Sequence, residues 1–154
     1  MTTSSKICQR TLSQIQKHFF NNPANPYPQH IKDINFQTLS DGTCKVTYNI
    51  KKSDCNAVKT LHGGFIATLV DNITVFAAMT KIEDLEKTSP STANIHINYK
   101  SAGKVGTEIV VESRVTKAGR RLIFTDCQLY ELENPSRVLA DGSHTLQLVE
   151  DDVE

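Results

Sequence analysis

No stretch of this chain is apolar for long enough to cross a membrane as a helix. The best one, Leu61 to Thr80, carries Asp71 at its centre, where a charge is expensive in lipid. Nor is there an excess of charge of one sign: 17 lysines and arginines stand against 17 aspartates and glutamates. That balance argues against a whole-chain binder of nucleic acid or another polyanion. With 7 glycines and 5 prolines among 154 residues, the chain is not of low complexity. The four cysteines, Cys8, Cys44, Cys55 and Cys127, form no CxxC pair and match no zinc-ligand spacing, so no metal site is expected. No signal-peptide core precedes them. They read as reduced thiols of a cytoplasmic or mitochondrial protein, not a secreted one. What these absences leave is a single globular domain, long enough to bury a core without staples.

The chain reads as an N-terminal segment, residues 1–32, a main domain, residues 33–150, and an acidic tail, residues 151–154. The first segment holds Lys6, Arg10, Lys17 and Lys32 and no acid. It reads as a short amphipathic helix, with Leu12, Ile15 and Phe19 on one face, or as a targeting segment; its single arginine favours the helix. Asn22-Pro23, Asn25-Pro26 and Pro28 end it in a loop. Alternating apolar residues then predict five strands, in Cys44–Ile50, Ala93–Tyr99, Ile109–Val115, Arg121–Leu132 and Val138–Val149. Asp41-Gly42, Gly103 with Gly106, Ala118-Gly119 and Asn134-Pro135 supply the turns. Between the first two strands lies one helix, Gly64–Thr80, apolar on nearly every face and therefore buried. An α+β arrangement, an antiparallel sheet wrapped around that helix, accommodates this order.

Two features carry chemistry. The first is Leu61-His62-Gly63-Gly64 at the helix start. Helix N-termini present unpaired N–H groups and favour negative charge, and glycine lets a ligand approach the backbone, so an oxyanion site fits there. A tight strand-to-helix turn fits equally. The second is Asp71, the only charged side chain between His62 and Lys81. A buried carboxylate must be paired, protonated or open to a cavity. It reads either as a structural group bonded to nearby backbone or as a general base or nucleophile. His62 and Asp71 are nine residues apart, about 13 Å along a helix and on roughly opposite sides of it. If both act on one reacting carbon, a second subunit must supply one of them. Cys55 near His62 raises a Cys–His nucleophile, without a local signature to support it.

The run Asn56-Ala57-Val58-Lys59-Thr60-Leu61-His62-Gly63-Gly64-Phe65-Ile66-Ala67-Thr68-Leu69-Val70-Asp71-Asn72 resembles the signature of hotdog-fold acyl-CoA thioesterases of the PaaI type, in the acyl-CoA thioesterase 13 branch. The similarity continues through Asn94–Tyr99, Lys117-Ala118-Gly119-Arg120 and Gly142-Ser143-His144-Thr145, and spans roughly residues 34 to 148. The resemblance implies the hotdog fold and hydrolysis of acyl-CoA to a carboxylic acid and CoA at a site shared across a dimer. It implies that Asn56 holds the attacking water or the thioester, and that the Gly63 N–H polarises the carbonyl. His62 would buttress this region, and Asp71 of the partner subunit would act as general base or nucleophile. Thr92 stands where the family usually has serine, with Ser91 next to it. Lys117, Arg120 and Arg121 around the Ala118-Gly119 turn are basic, as CoA phosphates require, although a solvated hairpin tip has the same composition. His18, His30, His96 and His144 read as structural or surface residues. A homodimer at least, and by family habit a homotetramer, is expected. Coenzyme A enters as part of the substrate, and no separate cofactor is expected. A hotdog dehydratase would need a different His–acid motif, absent here. A non-catalytic acyl-CoA or lipid binder on the same fold is the alternative from another class.

Overall fold

The computed structural model describes residues 6–150; the acidic tail and residues 1–5 lie outside the described residues. Helix α1 (Gln9–Ile15) runs on into a π-helical turn, Gln16–Phe20, and a 3-10 turn, Tyr27–Ile31, follows. Strands β1 (Asn35–Ser40) and β2 (Thr43–Asn49) precede the long helix α2 (Gly63–Met79). Then come β3 (Thr88–Tyr99), β4 (Glu108–Ala118), β5 (Leu122–Glu131) and β6 (Val138–Glu150). All six strands form one antiparallel sheet in the order β1-β2-β4-β5-β6-β3, leaving β1 and β3 at its edges. The sheet wraps α2, as the resemblance implied. None of the helices among the described residues is long and apolar enough to cross a membrane.

The sequence predicts five strands and the sheet has six. The missed strand is β1, whose sequence Asn-Phe-Gln-Thr-Leu-Ser has only two large apolar residues. A bulge between Phe36 and Thr38 puts an extra residue between them, so the period-2 pattern fails. The turn signal was sound. Asp41 and Gly42, with φ of 45° and 78°, form the two-residue loop that joins β1 to β2.

Helix α2 is held by tertiary burial more than by propensity, since Ile66, Val70, Ile73, Thr74 and Val75 are β-branched. Leu69, Val70, Ile73, Phe76 and Ala77 are fully buried. The helix ends at Thr80, whose hydroxyl donates to the Ala77 carbonyl at 2.7 Å and accepts the Gly42 N–H at 2.7 Å. That single side chain ties the helix end to the β1–β2 turn.

The N-terminal segment belongs to the same core. Cys8 N–H donates to the Leu39 carbonyl and Leu39 N–H to the Lys6 carbonyl, both at 2.7 Å. Thr11, Ile15 and Ile31 are fully buried. Phe19 and Phe20 meet Phe76 edge-on, with ring centroids 5.2 and 6.0 Å away. Arg10 donates to the carbonyls of Ile82 and Glu83 beyond the end of α2. Truncating Phe76, where these elements converge, is expected to cost about 3–5 kcal/mol, and Ile15→Ala about 2–5 kcal/mol. Chemical denaturation followed by circular dichroism measures both; a loss below about 1 kcal/mol for Ile15→Ala would show the segment to be a loose appendage.

Candidate active site

Two polar clusters flank α2, one at its start and one near its middle. At the start, His62 is the N-cap. Its backbone N–H donates to the Asp54 carbonyl at 2.9 Å, and its Nδ1 accepts the Gly64 N–H at 2.8 Å. Nδ1 is therefore the unprotonated nitrogen of the neutral ring. With Gly64 spent on the cap, the Gly63 N–H is the helix N-terminal donor left over. Among the described residues, no backbone hydrogen bond uses it. A Cβ at Gly63 would sit 3.4 Å from the Tyr99 ring, an ordinary contact. Packing does not force glycine there, so what glycine preserves is open approach to that N–H. At Gly64 an added Cβ would come within 3.0 Å of His62 Nδ1 and press on the cap itself.

Two residues that the sequence reading missed hold this end. Tyr99, at the end of β3, donates its hydroxyl to the Gly63 carbonyl at 3.0 Å. Asp54 is buried and accepts from Tyr48 Oη at 2.7 Å and from the Lys51 N–H at 2.9 Å. Burial, then the Asp54 carboxylate, pushes the Tyr48 hydroxyl far above its ordinary range. Asn56 spends its side chain on its own loop. Oδ1 accepts the N–H groups of Val58 and Thr60, both at 3.1 Å, and Nδ2 donates to Thr60 Oγ1 at 2.9 Å. It shapes the turn that leads into His62. Cys55 shares a surface recess with His62. Burial, then Asp54, raises its thiol above the ordinary value, and Sγ points to the Lys51 carbonyl. This is the opposite of an activated nucleophile.

The second cluster is built around Asp71. Thr92 Oγ1 donates to Asp71 Oδ1 at 3.1 Å, and His144 Nε2 lies 3.0 Å from Thr92 Oγ1. On its other side His144 Nδ1 is 2.5 Å from Thr74 Oγ1. The proton directions follow from the carboxylate, which can only accept. Thr92 gives its proton to Asp71, so His144 Nε2–H donates to Thr92; the Thr74 hydroxyl beside Nδ1 also faces the carbonyls of Val70 and Asp71 at 2.8 and 2.9 Å, so its one proton has three acceptors within reach. The chain His144, Thr92, Asp71 thus runs one way. The Asp71 side chain is 42% exposed and that of His144 wholly buried, 3.7 Å from Asp71 Oδ1. Burial lowers the His144 pKa from the usual 6.5, against a smaller upward pull from Asp71, so the ring is neutral at neutral pH.

A bulge in β3 makes the Asp71–Thr92 contact possible. Thr92 pairs with Leu146 and Ile95 with His144, and both partners face the helix. Simple alternation would turn residues three apart to opposite sides. The register shift between Thr92 and Asn94 inserts the extra residue that turns both inward. His144, read from the sequence as a residue without a partner, belongs to the site. Its position on the inward face of β6, in step with Leu146, was the available signal.

The two clusters do not meet within one chain. Gly63 and Asp71 are separated by eight residues of helix, about 12 Å. Of the three basic candidates, Arg120 and Arg121 share a recess with Lys81, Gln147 and Glu150. Lys117 lies opposite Phe124 in the β4–β5 pair and does not line that recess.

A family model described as the thioesterase superfamily matches residues 58–136. Human acyl-coenzyme A thioesterase 13 is 31% identical over 126 residues, which cover 81% of this chain and 86% of that protein. The crystal structure of zebrafish thioesterase superfamily member 2 superposes with a TM-score of 0.80 at 26% identity, over 93% of this chain and 99% of that one. A hypothetical thioesterase protein from Streptococcus pneumoniae, crystallised with coenzyme A, has the same fold at 22% identity. Its TM-score is 0.69, over 78% of this chain and 91% of that one.

His144 gives this site a pH signature. A base whose folded pKa is depressed contributes stability above its unfolded value, about 6.5, and loses it as pH falls through the lower folded value. Urea unfolding from pH 8 downward is therefore expected to show stability falling below about pH 6.5. His144→Gln is expected to flatten that part of the curve; an unchanged slope would show that His144 titrates alike in both states.

Proposed function

The chain belongs to the thioesterase superfamily, and we propose that it hydrolyses acyl-CoA thioesters to free carboxylic acid and CoA. The observation that carries the reading is the Asp71–Thr92–His144 chain, which holds one oxygen of an otherwise buried helix's only carboxylate and leaves the other open. Asp71 Oδ2 takes a proton from water as the water oxygen attacks the thioester carbon. Thr92 fixes the carboxylate, and His144 fixes Thr92. The Gly63 N–H, aligned with the helix dipole, stabilises the negative charge that develops on the carbonyl oxygen. The carbon–sulfur bond then breaks and CoA leaves as the thiolate. These steps draw on side chains, backbone and water, with coenzyme A entering as part of the substrate.

For both halves to act on one carbon, two chains must combine. β3 is an edge strand with Thr92, beside Asp71, near its middle and Tyr99, beside Gly63, at its end. Thr92 and Tyr99 are seven residues apart, about 23 Å. Antiparallel pairing of two β3 strands about a two-fold axis near Ile95 and His96 brings each chain's Tyr99 end beside the other's Thr92 end. Two equivalent sites result, each with Asp71, Thr92 and His144 from one subunit and Gly63 and His62 from the other. The same pairing satisfies outward N–H and C=O groups along the eight residues Thr92–Tyr99 of that edge. Arg120 and Arg121 meet the CoA phosphates, and Asn56 keeps the His62 loop in register. Four free thiols suit a reducing compartment, cytoplasm or mitochondrion.

Thiol release from acyl-CoA by Asp71→Asn is expected to fall by about 100- to 10,000-fold with the fold and dimer intact. Wild-type activity in that variant would remove Asp71 from the mechanism. Single turnover in heavy-oxygen water distinguishes base from nucleophile: label in Asp71 itself would mean covalent attack. Arg120→Ala with Arg121→Ala is expected to raise KM several-fold, and more at low salt, with kcat held; unchanged KM would place the phosphates elsewhere.

A further inference from the structure

A recess of about 360 Å³ opens between the start of α2 and the Tyr27–Ile31 turn. Four rings line it: Tyr27 and His30 from the turn, His62 and Phe65 from the helix start. His62 and Gly64, the residues on either side of the Gly63 N–H, are both part of its wall, so the recess lies next to that donor. The wall is braced from behind. Phe65 packs on the Tyr48 ring, with centroids 5.5 Å apart. Tyr27 meets His30 edge-on at 5.8 Å, and its hydroxyl lies 2.8 Å from Thr68 Oγ1. Other polar groups of the wall are already engaged. Asp54 accepts from Tyr48, the Lys51 N–H and, at 3.3 Å, Ser53 Oγ, and the Gly64 N–H is held by His62 Nδ1. What the recess chiefly offers a ligand is ring and aliphatic surface, the character of a site for an apolar group.

Its place relative to Arg120 and Arg121 names the occupant. Those arginines share their recess with Lys81, just past the far end of α2, a helix about 25 Å long. Across the sheet they are close to the Asp71 cluster. Gln147 pairs with Ser91, next to Thr92, on one side and with Leu122, next to Arg121, on the other. That is two strand spacings, about 10 Å. In the two-chain site CoA therefore leaves the thioester along the subunit that supplies Asp71. The acyl group leaves the same carbon in the other direction, toward the subunit that supplies Gly63, and the ringed recess lies there.

Resting on the acyl-CoA reading above, we infer that this recess is the acyl subsite. The subunit that polarises the carbonyl also reads the acyl group, while its partner reads CoA. Tyr27, contributed by the N-terminal segment, makes the ring contact that favours long apolar chains over short ones.

Cys55 is a reporter already in place: it lines the recess, whereas Cys44 and Cys127 are buried and Cys8 lies outside it. S-decyl-CoA, a thioether with no ester to hydrolyse, is expected to slow iodoacetamide alkylation of Cys55 several-fold, read by mass spectrometry. Free CoA is expected to leave that rate unchanged, with Cys8 as internal control. In Tyr27→Ala the ratio of kcat/KM for decanoyl-CoA to that for acetyl-CoA is expected to fall about tenfold, from loss of one ring's contact with the chain. Tyr27→Phe keeps the ring and is expected to keep the ratio. The footprint uses wild-type protein and depends on no variant folding. Equal protection by free CoA would put the CoA arm in the recess, and inhibition by S-decyl-CoA without shielding of Cys55 would put the chain elsewhere. Either result overturns the subsite and leaves hydrolysis standing. An unchanged ratio in Tyr27→Ala would overturn the role of Tyr27. Shielding of Cys55 by S-decyl-CoA alone, with thiol release from no ester, would overturn hydrolysis and support the subsite.

Discussion

A carboxylate in the middle of a helix that is otherwise packed all round sets the terms for this molecule. Asp71 cannot be buried without donors and cannot be fully solvated without unwrapping the sheet. The fold meets both demands by placing it against the open edge. β3, the strand with no neighbour on its outer side, lends Thr92; β6, the next strand in, lends His144; and α2 itself lends Thr74. The carboxylate thus gains an ordered chain of donors on one oxygen and access to water on the other. The same edge, from Thr92 to Tyr99, has no neighbouring strand on its outer side among the described residues.

Much of this was legible in the sequence, and what was not has physical reasons. The buried helix and the odd charge within it can be read from composition along one segment, because helical burial is a local pattern. Gly63 and Asp71 stood out as candidates because they lie in one contiguous string. His144 lies 52 residues beyond Thr92 and 70 beyond Thr74. No local pattern reports such a meeting; it needs the β3–β6 register. Strand β1 escaped because its bulge breaks alternation, and Tyr99 escaped because an exposed tyrosine at a strand end looks like surface. Clustering in sequence also misleads: Lys117 is near Arg120 along the chain but does not line the recess that Arg120 and Arg121 share.

The N-terminal segment shows how a piece with weak sequence signals becomes structural. Its amphipathic helix is too short to stand alone. It is fixed by Phe19 and Phe20 against Phe76, by main-chain pairing to Leu39, and by Arg10 on the carbonyls past α2.

The β3 bulge carries a consequence for how this strand tolerates change. It acts as a phase shifter, dividing one strand into two stretches whose inward and outward residues are out of step. The stretch before it brings Thr92 to Asp71, and the stretch after it brings Tyr99 to Gly63. Gain or loss of a single residue there would rotate one function relative to the other while every sheet hydrogen bond on either side could still form. In most strands length is a matter of stability. In this one, length encodes which side chains face α2, so a one-residue indel would turn Thr92 away from Asp71 in a sheet that still forms.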